Sequence, residues 1–174
     1  MDLISTPLDK NYLIKFNSFK DERGSFSRAF CEGTFKKYNL ETNYVQCNTS
    51  KSLFTGTLRG LHYQKDPFSE TKLVRCLNGS LFDVVVDLRV NSPTYLEWFG
   101  SILSDKNQLM MYVPKGFAHG FQTLEDNTVI YYMVSEIYNA DHEQGLNYLD
   151  PKLSIKWPIN ITNISEKDKS FKML

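Results

Sequence analysis

Residues 71–104 read TKLVRCLNGSLFDVVVDLRVNSPTYLEWFGSILS and carry the clearest structural signal of the chain. Short runs rich in aliphatic, β-branched and aromatic residues alternate there with turn-forming residues, first at Asn78-Gly79 and then over residues 91–95. This pattern is typical of short strands joined by tight turns, and we interpret it as a series of β-hairpins. The segment therefore predicts a strand-rich fold.

A second series follows over residues 109–138, LMMYVPKGFAHGFQTLEDNTVIYYMVSEIY. Pro114, Gly116 and the polar residues 125–127 interrupt it at the spacing expected of turns. Because the strands are regularly spaced and helical segments are few, the chain is predicted to form an all-β sandwich or barrel.

Two short helical segments are expected, one over residues 33–40 and one terminal turn over residues 164–171. Ser165 is placed to cap the second helix, with Asp168 three residues further on.

Side chains alternate between the two faces of a strand, which assigns several of them to an interior. One face of SLFDVVVDLR, which we assign to a core, carries Phe82, Val84, Val86 and Leu88. In TVIYYMVSEIY, Tyr132 shares its face with Ile130 and Val134, so its ring is expected to point into an apolar interior. A phenol buried in this way needs either a backbone partner or a substrate for its hydroxyl.

Length and composition limit the classes of protein that remain. The 174 residues fit one domain spanning residues 1–174, and 41% hydrophobic content excludes a disordered chain. Lys plus Arg and Asp plus Glu are both 20, so no global charge attracts nucleic acid or a membrane. The first ten residues lack the features of a secretory leader, and the three cysteines have no C-x-x-C spacing. We expect a cytoplasmic protein with free thiols.

Histidines are few, which limits the chemistry that they can support. The chain has His62, His119 and His142, and we assign no role to His142, which lies in a loop-like NADHEQG segment. The segment Pro114-x-Gly116-x-x-His119 resembles the second motif of the cupin superfamily, whose barrels commonly hold a metal. The usual ligand set of two or three histidines with a carboxylate is incomplete here. We therefore predict a pocket without a metal, and stoichiometric tightly bound metal would instead favour a metal cupin such as an oxygenase.

A longer set of motifs resembles one family, the dTDP-4-dehydrorhamnose 3,5-epimerases. The motifs run in order through nearly the whole chain, from about residue 15 to residue 168, as DERGSF, QCNTS, GTLRGLHYQ, KLVR, DVVVDLR, NSPTY, YVPKGFAHGFQTL, IKWP and ISEKD. The resemblance implies a cupin-type jelly-roll barrel with a few short helices, usually a homodimer. It implies an isomerase that inverts C3, C5 or both beside the C4 ketone of a nucleotide-linked 6-deoxy sugar, for a surface glycan. No cofactor is implied, because the ketone itself acidifies the neighbouring C–H bonds.

The family's catalytic roles are carried over to matching positions. The resemblance implies that His62 is the base, that Asp168 is the carboxylate paired with it, and that Tyr132 is the proton donor on the other face. Lys72 falls at the position associated with stabilising the enolate. Tyr131 leaves a one-residue ambiguity for the acid, although strand parity and the six-residue gap to Tyr138 both favour Tyr132.

Further positions match those with which the family binds its nucleotide-diphosphate sugar. Arg23 and Arg59 are implied to contact phosphate, a role that suits the forked guanidinium. The remaining positions implied to line the sugar and nucleotide cleft are Phe26, Gln46, Asn48, His119 and Tyr138.

Three points stay open on the sequence. Relatives with these motifs include enzymes that invert one centre only and others that act on sugars carried by GDP or CDP. A cupin that binds a nucleotide sugar without catalysis is the alternative from another class, although His62, Lys72, Tyr132 and Asp168 are all present. Arg28 stands where an acidic residue is expected, a change that bears on the choice of nucleotide.

Overall fold

The computed structural model describes all 174 residues, with fourteen strands and two short helices. The strands are β1 (Asp2–Ser5), β2 (Tyr12–Lys15), β3 (Ser18–Asp21), β4 (Gly24–Ser27), β5 (Gln46–Ser52), β6 (Thr57–Gln64), β7 (Lys72–Asn78), β8 (Ser80–Asp87), β9 (Trp98–Ser104), β10 (Leu109–Val113), β11 (Phe117–Thr123), β12 (Thr128–Val134), β13 (Glu143–Gly145) and β14 (Asn163–Ile164). The helices are α1 (Glu32–Lys37) and α2 (Glu166–Lys169).

The strands form two large sheets and one separate hairpin. The first sheet has the order β1-β2-β10-β7-β12-β5, and the second has the order β13-β6-β11-β8-β9 with β14 parallel to β6. From β5 to β12 the chain crosses between the sheets at every connection except β8 to β9. This is the jelly-roll arrangement of a cupin barrel, and the expected all-β fold is confirmed.

The interpretation of the chain as a series of hairpins is wrong for most of these strands. Only β8 and β9 pair directly as a hairpin within residues 71–104. The turn at Asn78-Gly79 joins β7 to β8 in different sheets, and β10, β11 and β12 pair with none of one another. Turn-forming residues mark where a strand ends, but the same residues serve a hairpin and a corner between two packed sheets.

The interior of the barrel lies between the two sheets and is apolar at one end. Its fully buried members include Val74, Leu81, Val85, Met111 and Val113. The face of β8 that we assigned to a core is buried too, but in a second cluster outside the barrel. There Val84 and Val86 pack under Leu146 and Leu153 of the C-terminal segment. Both faces of β8 are therefore covered, because the chain after β13 lies over the outside of the second sheet.

Both predicted helices are present, and each is shorter than the range expected from the sequence. Helix α1 is shorter than the predicted range of 33–40, because Asn39 adopts a left-handed backbone with φ of 54°. Helix α2 begins after Ser165, whose hydroxyl accepts a hydrogen bond from the Asp168 N–H at 3.0 Å. This confirms the predicted cap. Neither helix has the length and apolar character that crossing a membrane requires.

Candidate active site

A cavity opens between the two sheets at the polar end of the barrel. It has a volume of about 450 Å³, and an adjoining cavity of about 300 Å³ shares the side chains of His62, Lys72 and Tyr132. The second sheet contributes His62, Arg59 and His119 to the larger cavity, and the first sheet contributes Lys72 and Tyr132. Predicted site residues from distant parts of the sequence thus line one cavity, on two sheets that face each other.

His62 on β6 forms a close pair with Asp168 on α2. Its Nε2 lies 2.8 Å from Asp168 Oδ1, and the other carboxylate oxygen accepts the Gly60 N–H at 3.0 Å. Burial alone raises the pKa of the Asp168 carboxyl, but these hydrogen bonds outweigh it and hold the pKa below its usual range. An ionised Asp168 accepts from Nε2–H, so that Nδ1 of His62 keeps its lone pair for a substrate proton.

A β-bulge in β6 brings Arg59 and His62 to the same cavity. In a regular strand, residues three apart lie on opposite faces. Here His62 is opposite His119 and Arg59 is opposite Phe121, so three steps along β6 match two steps along β11. The extra residue returns Arg59 to the cavity side. Its guanidinium donates to the Ser52 hydroxyl at 3.2 Å and to the Lys51 carbonyl at 3.3 Å.

Tyr132 lies on the facing wall, on β12 of the first sheet, where it is paired with Asn48 of β5. Tyr131 lines a different cavity on the outer side of the same sheet, beside Met133. Burial is the main cause that raises the pKa of the Tyr132 hydroxyl, and the nearby Glu70 carboxylate raises it further. The phenol therefore keeps its proton over a wide pH range, as a general acid must.

Lys72 stands beside Tyr132 on the same wall with its side chain largely buried. Its ammonium lies 3.0 Å from Glu70 Oε1, and each side chain is only about a tenth exposed. Gln64 donates to the other Glu70 oxygen at 3.3 Å. This pairing directs a cation into the cavity, where charge that develops on a substrate oxygen is stabilised more strongly than in water.

His119 forms a second histidine–carboxylate pair next to the first. Its Nε2 lies 2.8 Å from Oδ1 of Asp83, which is completely buried. The second carboxylate oxygen of Asp83 has no hydrogen-bond partner in the protein. Because His119 is opposite His62 across β11 and β6, the two imidazoles are neighbours on the second sheet.

The rim of the smaller cavity is polar and includes three of the predicted binding residues. Gln46 donates to Asn48 at 3.2 Å and accepts from the Tyr138 N–H at 3.3 Å. The Tyr138 hydroxyl donates to Glu143 Oε2 at 2.7 Å, and the same oxygen accepts from Lys167 Nζ at 2.5 Å. Burial raises the pKa of Glu143, but these two donors outweigh it and lower the pKa overall.

Known proteins resemble this chain both in sequence and in fold. A family model described as dTDP-4-dehydrorhamnose 3,5-epimerase matches residues 5–174. The chain belongs to this family. A dTDP-4-dehydrorhamnose 3,5-epimerase from Sinorhizobium fredii is 50% identical over 159 residues, which span 91% of this chain and 82% of that protein. The protein described here is thus an isomerase of the dTDP-4-dehydrorhamnose 3,5-epimerase type.

Solved structures of relatives superpose over nearly the whole chain. The Bacillus anthracis dTDP-4-dehydrorhamnose 3,5-epimerase, solved with TDP and PPi bound, has a TM-score of 0.96 at 40% identity and covers 99% of both chains. The Legionella pneumophila dTDP-6-deoxy-D-glucose-3,5-epimerase, in complex with dTDP-4-keto-L-rhamnose, has a TM-score of 0.94 at 38% identity. That alignment covers 99% of this chain and 92% of the Legionella chain.

Two residues expected to bind the substrate of this epimerase lie away from the cavity. Arg23 and Phe26 belong to the separate β3–β4 hairpin, which pairs with neither sheet. The Arg23 guanidinium is exposed and bound to Asp21 at 2.6 Å, and Phe26 is 63% exposed. Within one chain neither Arg23 nor Phe26 is among the residues that line the two cavities around His62. Arg28, which follows this hairpin, is not among the residues that line the cavity.

Four charged residues around the site were not predicted from the sequence. Glu70 contacts Lys72, and Asp83 contacts His119. Glu143 contacts both Tyr138 and Lys167. Asp83 had a usable signal, since strand parity places it opposite the face assigned to a core. Lys167 directly precedes Asp168 in the ISEKD motif. Glu70 and Glu143 had no signal in the sequence, because their contacts with the site form only when the barrel closes.

Proposed function

We propose that this epimerase inverts C3 and C5 of dTDP-4-dehydro-6-deoxyglucose to give dTDP-4-dehydrorhamnose, and that it needs no cofactor. One observation carries the proposal. The His62–Asp168 pair and Tyr132 reach the same cavity from facing sheets, so a base and an acid address opposite sides of a ring held between them. Inversion of a stereocentre beside a ketone needs this two-sided arrangement.

The first step is removal of a proton next to the C4 ketone. Nδ1 of His62 takes the proton from the carbon, and the C–H electron pair becomes the C=C bond of an enolate while the carbonyl oxygen becomes negative. Asp168 supports this step because its carboxylate stabilises the imidazolium that forms. The 2.8 Å contact between Nε2 and Asp168 Oδ1 is short enough for that role.

The negative oxygen of the enolate then needs a donor. Lys72 is the cation held in the wall beside Tyr132, and Glu70 directs its ammonium while leaving two N–H donors free. Stabilising a charge that develops only during reaction lowers the barrier without tightening ground-state binding.

Return of a proton from the other side completes the inversion. The Tyr132 hydroxyl gives its proton to the carbon, the enolate electrons form the new C–H bond, and the C4 ketone is restored. The resulting tyrosinate recovers a proton from solvent and His62 releases its own, so the enzyme is unchanged. The same pair of residues acts once at C3 and once at C5. The raised pKa of Tyr132 supports the role, because the protonated form dominates before reaction.

The nucleotide diphosphate is proposed to lie along the polar end of the cavity. Arg59 is the arginine that lines it, and its guanidinium suits a diphosphate. Gln46, Asn48, His119 and Tyr138 are proposed to line the sugar and base positions. The choice of a thymidine carrier is supported by the bound TDP of the Bacillus relative and the dTDP sugar of the Legionella relative.

We also propose that the chain is a single domain that works as a homodimer in the cytoplasm. Free thiols at all three cysteines support a reducing compartment. The dimer accounts for Arg23 and Phe26, since a hairpin that cannot serve its own cavity can serve the cavity of a second copy. The aromatic rings of Phe19 and Phe26 are exposed on that hairpin, and exposed apolar side chains grouped in this way are typical of a protein–protein interface.

Solvent isotope exchange tests the proposed reaction. The protein is incubated in deuterated water with dTDP-4-dehydro-6-deoxyglucose, and with GDP- and CDP-linked analogues, while mass spectrometry and proton NMR locate incorporated deuterium. Two deuterons, at C3 and C5, with the dTDP sugar are the expected result. A single deuteron would identify an enzyme for one centre, and bound sugar without exchange would favour the non-catalytic binding protein.

The role of His62 is tested separately with His62→Ala. Exchange should be lost while dTDP still binds within about threefold of wild type, because Arg59 and the rim are untouched. Retained exchange in this variant would remove His62 from the base role without affecting the identity of the substrate.

A further inference from the structure

The His62 imidazole has a second neighbour besides Asp168. The ring of Phe171 packs edge to face against it, with centroids 5.7 Å apart and planes at 74°. One hydrogen bond to Nε2 fixes a single direction and leaves the imidazole free to tilt about it. An aromatic ring packed against the imidazole restricts that tilt. The direction in which the Nδ1 lone pair points toward the substrate depends on the tilt of the imidazole.

Gly145 leaves the space that the Phe171 ring occupies. Gly145 is the cross-strand neighbour of His62, on β13. A Cβ added at this position would lie 2.2 Å from Phe171 Cε2, so no other residue fits beneath the ring. Its backbone is not in the left-handed region, so steric space and not backbone conformation requires glycine here.

The loop that follows β13 anchors the segment that carries Phe171. The Asn147 side-chain amide donates to the Phe171 carbonyl at 2.8 Å, and the Asn147 N–H donates to the Lys172 carbonyl at 3.3 Å. The carboxylate of the buried Asp150 accepts the Leu174 N–H at 2.5 Å. These three hydrogen bonds hold the backbone at and after Phe171 in place.

We propose that Phe171 is a positioning residue that fixes the plane of the His62 imidazole, with Gly145 and Asn147 as its support. The inference rests on the proposed role of His62 as the base. Phe171 acts through His62, because a misdirected lone pair slows proton abstraction while substrate binding is unaffected. Displacement of a catalytic group by about 1 Å can cost as much as a hundredfold in rate.

Steady-state kinetics of Phe171→Leu and Phe171→Tyr test the proposal. Leucine keeps an apolar side chain but removes the ring, and we expect kcat to fall roughly tenfold or more while KM and the dTDP Kd stay within about twofold. Tyrosine keeps the ring and should restore kcat. Met173→Ala, a truncation of an exposed side chain two residues along, is the matched control and should leave kcat unchanged.

Other results would overturn the proposal. An unchanged kcat in Phe171→Leu would do so, as would a rise in KM alone, which marks a substrate contact. If Phe171→Leu is poorly folded by circular dichroism, Gly145→Ala replaces it, since the added Cβ would displace the Phe171 ring from His62. A normal kcat in that variant would again overturn the inference. Exchange retained by His62→Ala would refute the base itself, so the two failures are distinguishable.

Discussion

Tyr131 and Tyr132 are neighbours in the chain but face opposite sides of β12. Tyr132→Phe removes only the hydroxyl, and we expect kcat to fall roughly 10²–10⁴-fold because reprotonation loses its acid. Tyr131→Phe is the matched control, with the same chemical change on the outer face, and should retain full activity. Washout of one substrate proton into deuterated water should persist in Tyr132→Phe, since His62 still removes it.

The two tyrosine variants also decide between assignments of the acid. Normal turnover in Tyr132→Phe combined with loss in Tyr131→Phe would reverse the assignment and contradict the facing geometry. Normal turnover in both would assign the proton to Tyr138 or to water. Rates of deuterium incorporation and of product formation, measured on the same samples, separate these outcomes.

The bulge in β6 is the element that positions His62, the proposed base. Gly60 has φ of 126°, and a Cβ added there would lie 2.5 Å from Gly120 Cα on the adjacent β11. Gly60→Ala therefore forces the two strands apart, and we expect the free energy of unfolding to fall by roughly 3 kcal/mol. Activity should fall as well, since the Gly60 N–H no longer holds Asp168.

Gly33→Ala is the control for the Gly60 variant. Gly33 lies in α1 with no atom within 4 Å of an added Cβ, so alanine should stabilise the protein by roughly 0.5–1 kcal/mol. Urea unfolding of both variants provides the comparison. If the two variants have the same free energy of unfolding, β6 and β11 can move apart at Gly60 without a loss of stability.

The connection from β8 to β9 is organised by the buried carboxylate of Asp87. Burial raises the pKa of Asp87, but hydrogen bonds from Arg89, Ser92 and Thr94 outweigh it and lower the pKa from 3.8 to about 2. Because the folded pKa is below the unfolded one, the ionised carboxylate stabilises the fold by roughly 2 kcal/mol above pH 4. That contribution is lost as the pH falls from about 4 to about 2.

Asp87→Asn should reveal this contribution. We expect the variant to be less stable than wild type at pH 7 and to lose less stability between pH 4 and pH 2. Urea unfolding at pH 7 and at three pH values between 4 and 2 measures both effects. A variant that loses stability as steeply as wild type would show that other carboxylates dominate acid unfolding.

At the scale of the whole molecule, the proposed homodimer makes a prediction about mixed subunits. Arg23→Ala leaves the His62 side intact, and His62→Ala leaves the hairpin intact, so a dimer of the two variants rebuilds one complete cavity. With random pairing, half of the dimers are mixed and each has one working cavity of two. Activity at low substrate should then reach about a quarter of wild type.

The control mixes His62→Ala with Asp168→Asn. Both residues belong to the same cavity of one chain, since they are in direct contact at 2.8 Å, so mixing restores nothing. An Arg23→Ala and His62→Ala mixture no more active than the sum of its separate variants would contradict the exchange of hairpins between copies.

Sequence reasoning was sufficient for several features of this molecule. The motifs identified the family, the short strands predicted the all-β fold, and parity separated Tyr132 from Tyr131. The family pattern also paired His62 with Asp168, 106 residues apart. These features depend on motifs or on alternation within one strand, where the period of two is set by local backbone geometry.

Tertiary structure alone decided the rest. Closure of the barrel sends β7 and β8 into different sheets, although Asn78-Gly79 suits a hairpin. One inserted residue in β6 reverses the parity that separates Arg59 from His62. The β3–β4 hairpin with Arg23 is held away from the cavity that its sequence predicts. Each outcome depends on which strands become neighbours, and that is a property of packing between distant segments that local pattern does not contain.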